Sequence, residues 1–287
     1  MPKNSTPLLS IIVPSYNNAD LLNNLLNSLK EQTFRDYEIV LIDGNSTDHT
    51  KTVIETHSEI IQYSVSEKDK GIFDAMNKGI NAAKGEWLYF MGCDDKFFNN
   101  DVLNSIFLQD LTNCDIIYGR ILNQKKNAIE GVEIKNKLEL LNHQFWHQSM
   151  FYRRLVFDQA GHFNVRYKIA SDTEFNLKTF CLFDFKWMFH EHPVSIFSGT
   201  GISSKVIDKN YHGDQWKLYM KWFKEIPSQD VYEALQYNVY NEILIGNLFN
   251  AFFKLLQVMY HSRKIKPYLK HCLYWTKIRF SKSNNKS

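Results

Sequence analysis

Carboxylates follow three of the apolar segments in the first third of the chain. Asp43, Asp69 and the adjacent pair Asp94-Asp95 each come at or shortly after a short run typical of a buried strand. Strand ends of a parallel sheet share one edge, so these carboxylates would collect on one rim. Their mutual repulsion would destabilise that rim unless a cation or a ligand separates them. Asp94-Asp95 therefore predicts either a turn with a helix cap or a metal-binding strand end.

The segments that would position these carboxylates alternate between strand and helix patterns. The predicted strands are "LLSIIVPSYN" (8–17), "YEIVLIDGNSTD" (37–48), "IIQYSVSEKDKG" (60–71) and "EWLYFMGCDD" (86–95). The predicted helices lie between them at 19–32, near 48–58 and at 72–85, the last ending at Gly85. This alternation predicts an α/β fold with a mostly parallel sheet and helices on both faces.

The second half of the chain has a mixed pattern. Strands are predicted in "DIIYGRIL" (115–122), "HQSMFYRR" (147–154) and residues 186–198, and a helix over 171–183 with Ser171 or Asp172 near its N-cap. Beyond residue 205 the chain is helical, aromatic and increasingly basic. We predict a catalytic domain over 1–205, divided near residue 98, and a helical region over 206–287.

Charge is distributed unevenly although the net charge is only +3. Nine of the 34 basic residues follow Glu242, and no acidic residue does. Residues 243–287 therefore predict either a helix that lies on an anionic membrane surface or one that packs on the catalytic domain with a solvated basic end. No nucleic-acid-binding module precedes this region, so we expect no nucleic acid partner.

The cysteines and the N-terminal sequence indicate in which cellular compartment the protein is found. The four cysteines show no CxxC spacing, and "MPKNSTPLLS" has no apolar signal-peptide core. Reduced thiols are the default for such a chain in a cytosolic setting. We expect a cytosolic protein, either free or peripheral on the inner face of the cytoplasmic membrane.

Seven segments together resemble the inverting glycosyltransferases of family 2, which have the GT-A fold. They occur in the family's order: "IIVPSYN", "VLIDGNSTDHT", "SEKDKGIFDAMNKGI", "AAKGEWLYFMGCDD", "HQSMFYRR", "ASDTEF" and "GTGIS". The resemblance covers about residues 8–205 and is strongest to bacterial enzymes of capsule, O-antigen and exopolysaccharide assembly. It implies a GT-A catalytic domain, with a nucleotide-sugar half (about 1–98) and an acceptor half (about 99–205).

The resemblance also implies which residues hold the nucleotide-sugar donor. Asp43 takes the position that hydrogen-bonds the pyrimidine ring, which suits a carboxylate because uracil N3–H is a donor. The other residues in donor-binding segments are Pro14, Tyr16, Asn17, Asp69, Asn77, Lys78 and Asp94. Ordinary alternatives stay open for several of them: a strand end for Pro14, a turn for Asp43 or Asp69, and a solvated helix lysine for Lys78.

Asp94-Asp95 matches the end of the family's Asp-x-Asp metal motif. The chain departs from it, because Gly92 and Cys93 stand two positions before the two aspartates. We predict Asp95 as the metal ligand and Asp94 as a contact to the ribose or a supporting contact. Mn²⁺ or Mg²⁺ favours carboxylate and diphosphate oxygen atoms, and Mg²⁺ typically uses only one or two protein carboxylates.

Asp172 in "ASDTEF" stands where the family places the general base. A carboxylate there can take the proton of the attacking sugar hydroxyl, although an N-cap role is the alternative. His147, Gln148 and Gly201 lie in segments that the family uses near the acceptor and the diphosphate.

The predicted function is therefore transfer of a sugar, in the hexosyltransferase class. The donor would be a nucleotide-diphosphate sugar, with UDP favoured, and the acceptor a glycan or polyprenyl-diphosphate-linked glycan. Two alternatives are a sugar-nucleotide-forming nucleotidyltransferase and a non-catalytic nucleotide- or glycan-binding module. "PSYNNAD" (14–20) contains no glycine, which disfavours the phosphate loop of a nucleotidyltransferase, and no GxGxxG supports a dehydrogenase.

Overall fold

The computed structural model describes residues 6–141, 143–199, 201 and 206–226. Its first part alternates strands and helices. These elements are β1 (Leu9–Ser15), α1 (Ala19–Lys30), β2 (Tyr37–Asp43), α2 (Thr50–Thr56), β3 (Ile61–Ser66), α3 (Ile72–Ala82) and β4 (Trp87–Phe90). Strands β3, β2, β1 and β4 are neighbours in that order and all pair in parallel. Their carboxyl ends therefore meet at one edge, as the sequence predicts.

The second part adds antiparallel pairs to the sheet. Its elements are β5 (Lys96–Phe97), α4 (Val102–Phe107), β6 (Ile116–Asn123), β7 (Ala128–Glu130), β8 (Met150–Arg153), α5 (Arg154–Ala160), α6 (Ser171–Leu182), β9 (Trp187–Phe197) and α7 (Lys209–Trp222). Strand β8 lies between β4 and β6 and runs antiparallel to both. The sheet then continues through β9, which is parallel to β6, to β5, and β7 pairs with β6. The predicted α/β architecture is confirmed.

Helices cover both faces of the sheet. Ile11 and Val13 of β1 share a buried cluster with Leu25 of α1 and Ile106 of α4. Ile12 lies between these two residues of β1, points to the opposite face of the sheet and packs against α3. A Cβ on Gly79 of α3 would lie only 2.3 Å from Ile12 Cγ2, so this helix approaches the sheet closely.

The face that carries α3 also holds α5 and α6. Phe90 of β4 packs edge-on against Phe157 of α5, with ring centroids 5.7 Å apart. Phe157 in turn stacks on Phe175 of α6 at 4.8 Å. This aromatic layer holds the first turn of α6, which carries Asp172, against the sheet.

Helix α3 ends at Ala82, so the prediction that it continues to Gly85 is wrong. Arg154, at the start of α5, donates to the backbone oxygens of Ala83 (2.7 Å) and Gly85 (2.8 Å). The guanidinium therefore binds the backbone that follows α3 and holds it to the start of α5.

The chain divides into two compact units, residues 1–135 with 143–211 and residues 136–142 with 212–287. In the second unit Lys137 forms an ion pair with Glu225 at 3.0 Å, and Tyr219 packs against Phe223. Helix α7 accords with the helical pattern predicted beyond residue 205. The prediction of a membrane-facing segment over 243–287 lies outside the described residues.

Across the ranges that the structure describes, we find no helix of sufficient length and apolarity to traverse a bilayer.

Candidate functional site

Asp43, the last residue of β2, is a buried carboxylate that is already hydrogen-bonded. Its Oδ1 accepts from the Ser46 hydroxyl at 2.5 Å, and its Oδ2 accepts from the Ser66 hydroxyl at 2.5 Å and from the Ser46 backbone N–H at 3.1 Å. Only 1% of the residue is exposed. A carboxylate offers about four lone-pair sites, so these three bonds orient Asp43 and leave it able to accept one more.

Tyr16 and Asp69 meet across Gly44. A Cβ on Gly44 would lie 2.6 Å from Asp69 Oδ2 and 3.2 Å from Tyr16 Cδ2. Asp69 Oδ1 accepts from the Gly71 backbone N–H at 2.8 Å, which holds the loop after β3. The Tyr16 ring is 59% exposed and therefore offers a flat surface to a ligand.

Asn17 joins the loops that follow β1 and β2. Its backbone N–H donates to the Ser46 hydroxyl at 2.7 Å, and its Oδ1 accepts from the Thr47 N–H at 2.8 Å. The residue has φ of 49°, a left-handed conformation that asparagine tolerates better than most residues. Pro14 is buried within β1, opposite Ile42 of β2. Both residues shape the rim, and their contact with a nucleotide stays a prediction.

Lys78 brings a cation to the same rim. Its ammonium lies 2.8 Å from Glu67 Oε1 and donates to the Lys68 backbone oxygen at 3.0 Å. The hydrogen bond to Glu67 raises the pKa of Lys78, and the charges of Asp74 and Asp69 act in the same direction. Lys78 is therefore a paired lysine among carboxylates.

Asn77 faces a neighbouring loop. Its amide exchanges two hydrogen bonds with the backbone of Phe163, at 2.9 and 3.0 Å. This pair joins α3 to the loop before α6. The contact of Asn77 with a nucleotide stays a prediction that the described contacts do not support.

Asp94 and Asp95 converge over Gly92 after β4. A Cβ on Gly92 would lie 3.1 Å from Asp94 Oδ1 and 3.1 Å from Asp95 Oδ2, so a side chain would crowd both carboxylates. Asp95 Oδ2 accepts from the Gly92 N–H at 2.9 Å. Burial, together with the charge of Asp94, raises the pKa of Asp95 to about 7. Gly201 lies beside this pair, since a Cβ on it would be 3.2 Å from Asp94 Oδ2.

Two neighbouring carboxylates are of the residue type that suits a hard divalent cation. Across the described residues no group of three or more His, Cys, Asp or Glu side chains could hold a metal ion. Mg²⁺ commonly binds one or two protein carboxylates and takes its other ligands from water and substrate phosphates. A cation would also offset the repulsion that raises the pKa of Asp95.

Asp172 lies in the first turn of α6 but does not cap that helix. The N-cap position is Ala170, without a side-chain cap bond, and Asp172 Oδ1 accepts from the adjacent Thr173 N–H at 2.8 Å. Its other oxygen, Oδ2, lies 3.8 Å from His147 Nδ1. Its side chain is 21% exposed, so a substrate hydroxyl could reach the carboxylate.

His147 and Gln148 are consecutive residues that lie near different carboxylates. His147 Nδ1 lies 3.8 Å from Asp172 Oδ2. Burial lowers the pKa of His147, and the charge of Asp172 opposes this. Burial raises the pKa of Asp95, and the Gln148 side chain acts in the lowering direction.

The residues that hold the predicted site residues in place were not predicted from the sequence. Ser46 lies within the quoted segment "VLIDGNSTDHT", where a short Asp-to-Ser turn is a local signal that could have been used. Ser66 has no local signal, because its contact with Asp43 depends on the pairing of β2 with β3.

Known proteins resemble this chain over most of its length. Residues 10–209 match the family described as "Glycosyl transferase family 2". A "PGL/p-HBAD biosynthesis glycosyltransferase" of Mycobacterium bovis is 32% identical over 218 residues, which cover 72% of this chain and 83% of that protein. The "GalNAc(5)-diNAcBac-PP-undecaprenol beta-1,3-glucosyltransferase" of Campylobacter jejuni is 23% identical over 288 residues, 95% of this chain and 81% of that protein.

The fold is also found among solved structures. Residues 1–349 of S. aureus TarS, in complex with UDP-GlcNAc, match with a TM-score of 0.58 and 19% identity. The match covers 80% of this chain and 65% of that one, slightly less than two thirds. The GT-A fold predicted from the sequence is thus confirmed. The chain is a glycosyltransferase and belongs to glycosyl transferase family 2.

Proposed function

We propose that this protein is an inverting glycosyltransferase that moves a sugar from a UDP-sugar to a lipid-linked glycan. The acceptor hydroxyl oxygen forms a bond to the anomeric carbon as the bond from that carbon to the diphosphate breaks. The hydroxyl proton passes to the Asp172 carboxylate, and UDP leaves with the electron pair. A single displacement inverts the anomeric configuration.

The position of Asp172 carries this proposal. Its carboxylate is held at the start of α6, bonded to the Thr173 N–H and close to the His147 imidazole, and it is not a helix cap. A partly exposed carboxylate in such a setting can act as a general base, a contribution of roughly 10²–10⁴-fold in rate.

The rim formed by Asp43, Tyr16 and Asp69 would take the nucleotide. Asp43 keeps the capacity to accept from a base N–H, and the exposed Tyr16 ring offers a stacking surface. The fold match to TarS, solved with UDP-GlcNAc, supports a UDP-sugar as the donor.

Asp95, with Asp94 beside it, would hold Mn²⁺ or Mg²⁺. Such an ion supplies positive charge that stabilises the departing diphosphate. The Gly92 N–H donates to Asp95 Oδ2 at 2.9 Å, and the absence of a side chain on Gly92 leaves room for both carboxylates.

The acceptor and the cellular location are inferred from a relative of this chain. The Campylobacter jejuni protein is named for a PP-undecaprenol-linked glycan, which supports a polyprenyl-diphosphate-linked acceptor. Assembly of a surface polysaccharide such as a capsule or O-antigen would use such an acceptor. The enzyme would then work at the inner face of the cytoplasmic membrane, with residues 243–287 attracted to anionic lipid.

The test is product formation by wild-type protein and by Asp172→Asn with a panel of UDP-sugars and synthetic lipid-diphosphate acceptors. Asp172→Asn should abolish transfer, while UDP binding in the presence of Mn²⁺, followed by calorimetry, survives. Asp158→Asn makes the same change at an exposed position of α5 and should leave transfer intact. Wild-type turnover by Asp172→Asn would remove Asp172 as the base.

A further inference from the structure

The turn that precedes β8 is anchored by buried groups on both sides. Residues His147–Ser149 form a single 3-10 turn. The Tyr89 hydroxyl of β4 donates to the Gln148 backbone oxygen at 2.8 Å. The fully buried Ser149 hydroxyl donates to the Gly119 backbone oxygen of β6 at 2.9 Å. The turn is therefore fixed to two neighbouring strands of the sheet.

The His147 imidazole is held between an aromatic ring and a carboxylate. Its ring stacks on Phe90, with centroids 6.1 Å apart and planes 29° apart. Its Nδ1 faces Asp172 Oδ2 at 3.8 Å. Among the described residues, neither ring nitrogen has a hydrogen-bond partner, although both are buried. A buried N–H without a partner is costly, so the imidazole gains free energy by donating to a nearby acceptor.

A neutral imidazole carries one N–H, and its neighbour decides which nitrogen holds it. Burial favours the neutral form of His147 over the charged one. A hydrogen on Nδ1 would point at Asp172, and a shift of less than 1 Å would bring 3.8 Å into the range of an N–H···O hydrogen bond. A lone pair on Nδ1 would instead face a carboxylate oxygen and be repelled.

We propose that His147 is a positioning residue that orients the base Asp172 through Nδ1–H. This rests on the proposed function, and it differs from the acceptor or diphosphate contact that the sequence predicts. The turn sets the position of the imidazole relative to one anchored piece of backbone. His147 acts through Asp172 and not on the reacting atoms.

The tautomer of His147 gives a test that needs no turnover. In ¹⁵N-labelled wild-type protein at neutral pH, we expect two-bond nitrogen–hydrogen spectra to show the hydrogen on Nδ1. In Asp172→Ala, which lacks the carboxylate, the hydrogen should move to Nε2. A wild-type spectrum with the hydrogen on Nε2 would overturn the proposal for His147, whether or not the variant folds.

Two substitutions of His147 distinguish a role in positioning Asp172 from a role in packing against Phe90. His147→Phe keeps a ring on Phe90 but loses the N–H, whereas His147→Asn loses the ring but keeps an N–H where Nδ1 stood. With a donor and acceptor pair that supports transfer, His147→Phe should lower kcat by about 10–100-fold, since small misplacements of reacting groups have effects of this order. KM for the UDP-sugar should stay within about threefold by the same reasoning, and His147→Asn should recover most of kcat. If His147→Phe were active and His147→Asn inactive, the result would show that His147 contributes only by packing its ring.

The spectra decide the inference even if no tested sugar pair reacts, in which case the proposed function fails separately.

Discussion

The Asp69 carboxylate lies directly over the backbone of Gly44. Its Oδ2 atom is 2.6 Å from the position that a Cβ on Gly44 would occupy, closer than real Cβ contacts allow. Gly44 does not have the left-handed backbone that only glycine favours, since it is not among the residues with positive φ. The requirement for glycine is therefore one of space, between the loops that follow β2 and β3.

Gly44→Ala should weaken nucleotide binding without unfolding the protein. The methyl group would displace Asp69 and press on the Tyr16 ring, so the Kd for UDP should rise by about 10-fold, equivalent to about 1.4 kcal/mol. Calorimetric titration with UDP measures this. Gly213→Ala, in the helix α7 and with nothing within 4 Å of the new methyl, is the control and should bind UDP normally. Normal affinity in Gly44→Ala would place the nucleotide elsewhere.

Asp95→Ala should remove the dependence of UDP binding on the metal. The Kd for UDP with Mn²⁺ should rise by about 10–100-fold, toward the value without Mn²⁺, because a carboxylate ligand is lost. Asp94→Ala is the informative comparison, since a contact to the ribose would weaken UDP binding equally with and without Mn²⁺. Metal-dependent binding that is unchanged in Asp95→Ala rejects Asp95 as the ligand.

His147 should make stability sensitive to acid. Burial holds its folded-state pKa below the ordinary value of 6.5, so its contribution is present above that value and is lost as pH falls through the folded pKa. Chemical denaturation between pH 7 and about pH 5 should show a smaller loss of unfolding free energy for His147→Phe than for the wild type. NMR titration gives a second check: Asp172→Asn should lower the pKa of His147 further, since the Asp172 charge raises it. A rise in that pKa would contradict the arrangement.

Truncation tests the basic C-terminal region. Removal of residues 262–287 deletes eight of the nine basic residues after Glu242. We expect the truncated protein to lose sedimentation with vesicles that contain anionic lipid, because each basic residue near such a surface contributes about 1 kcal/mol. Vesicles of neutral lipid are the control for the electrostatic contribution to membrane binding. Unchanged association with anionic vesicles and in cell fractionation would favour packing on the catalytic domain instead.

Much of the fold was predictable because its signals are local. The apolar runs that became β1, β2 and β4 and the leucine face of α1 are visible in short windows of sequence. The position of β8 between β4 and β6 was not predictable, since strand neighbours far apart in sequence leave no periodic trace. Arg154 shows the same limit: it begins α5, and nothing near it in the sequence indicates that its guanidinium binds the backbone oxygens of Ala83 and Gly85 after α3.

The sequence predicted which residue types form the site, but it did not predict the contacts that those residues make. The resemblance selected Asp172 and Asp95, and their environments follow from packing. Nothing in the sequence places the His147 imidazole beside Asp172, because that position needs Tyr89 and the β6 strand to hold the turn. Similarly, Asn77 carries a donor-binding expectation, but tertiary structure directs its amide to Phe163.

The anchoring of the turn His147–Ser149 has a consequence for how the protein tolerates change. The turn is held through the Gln148 backbone oxygen and the Ser149 hydroxyl, so the imidazole of His147 is attached one residue before the first anchor. A single-residue insertion between positions 147 and 148 would move the imidazole away from Asp172 while leaving every side chain chemically intact. Such an insertion should be more damaging than His147→Phe.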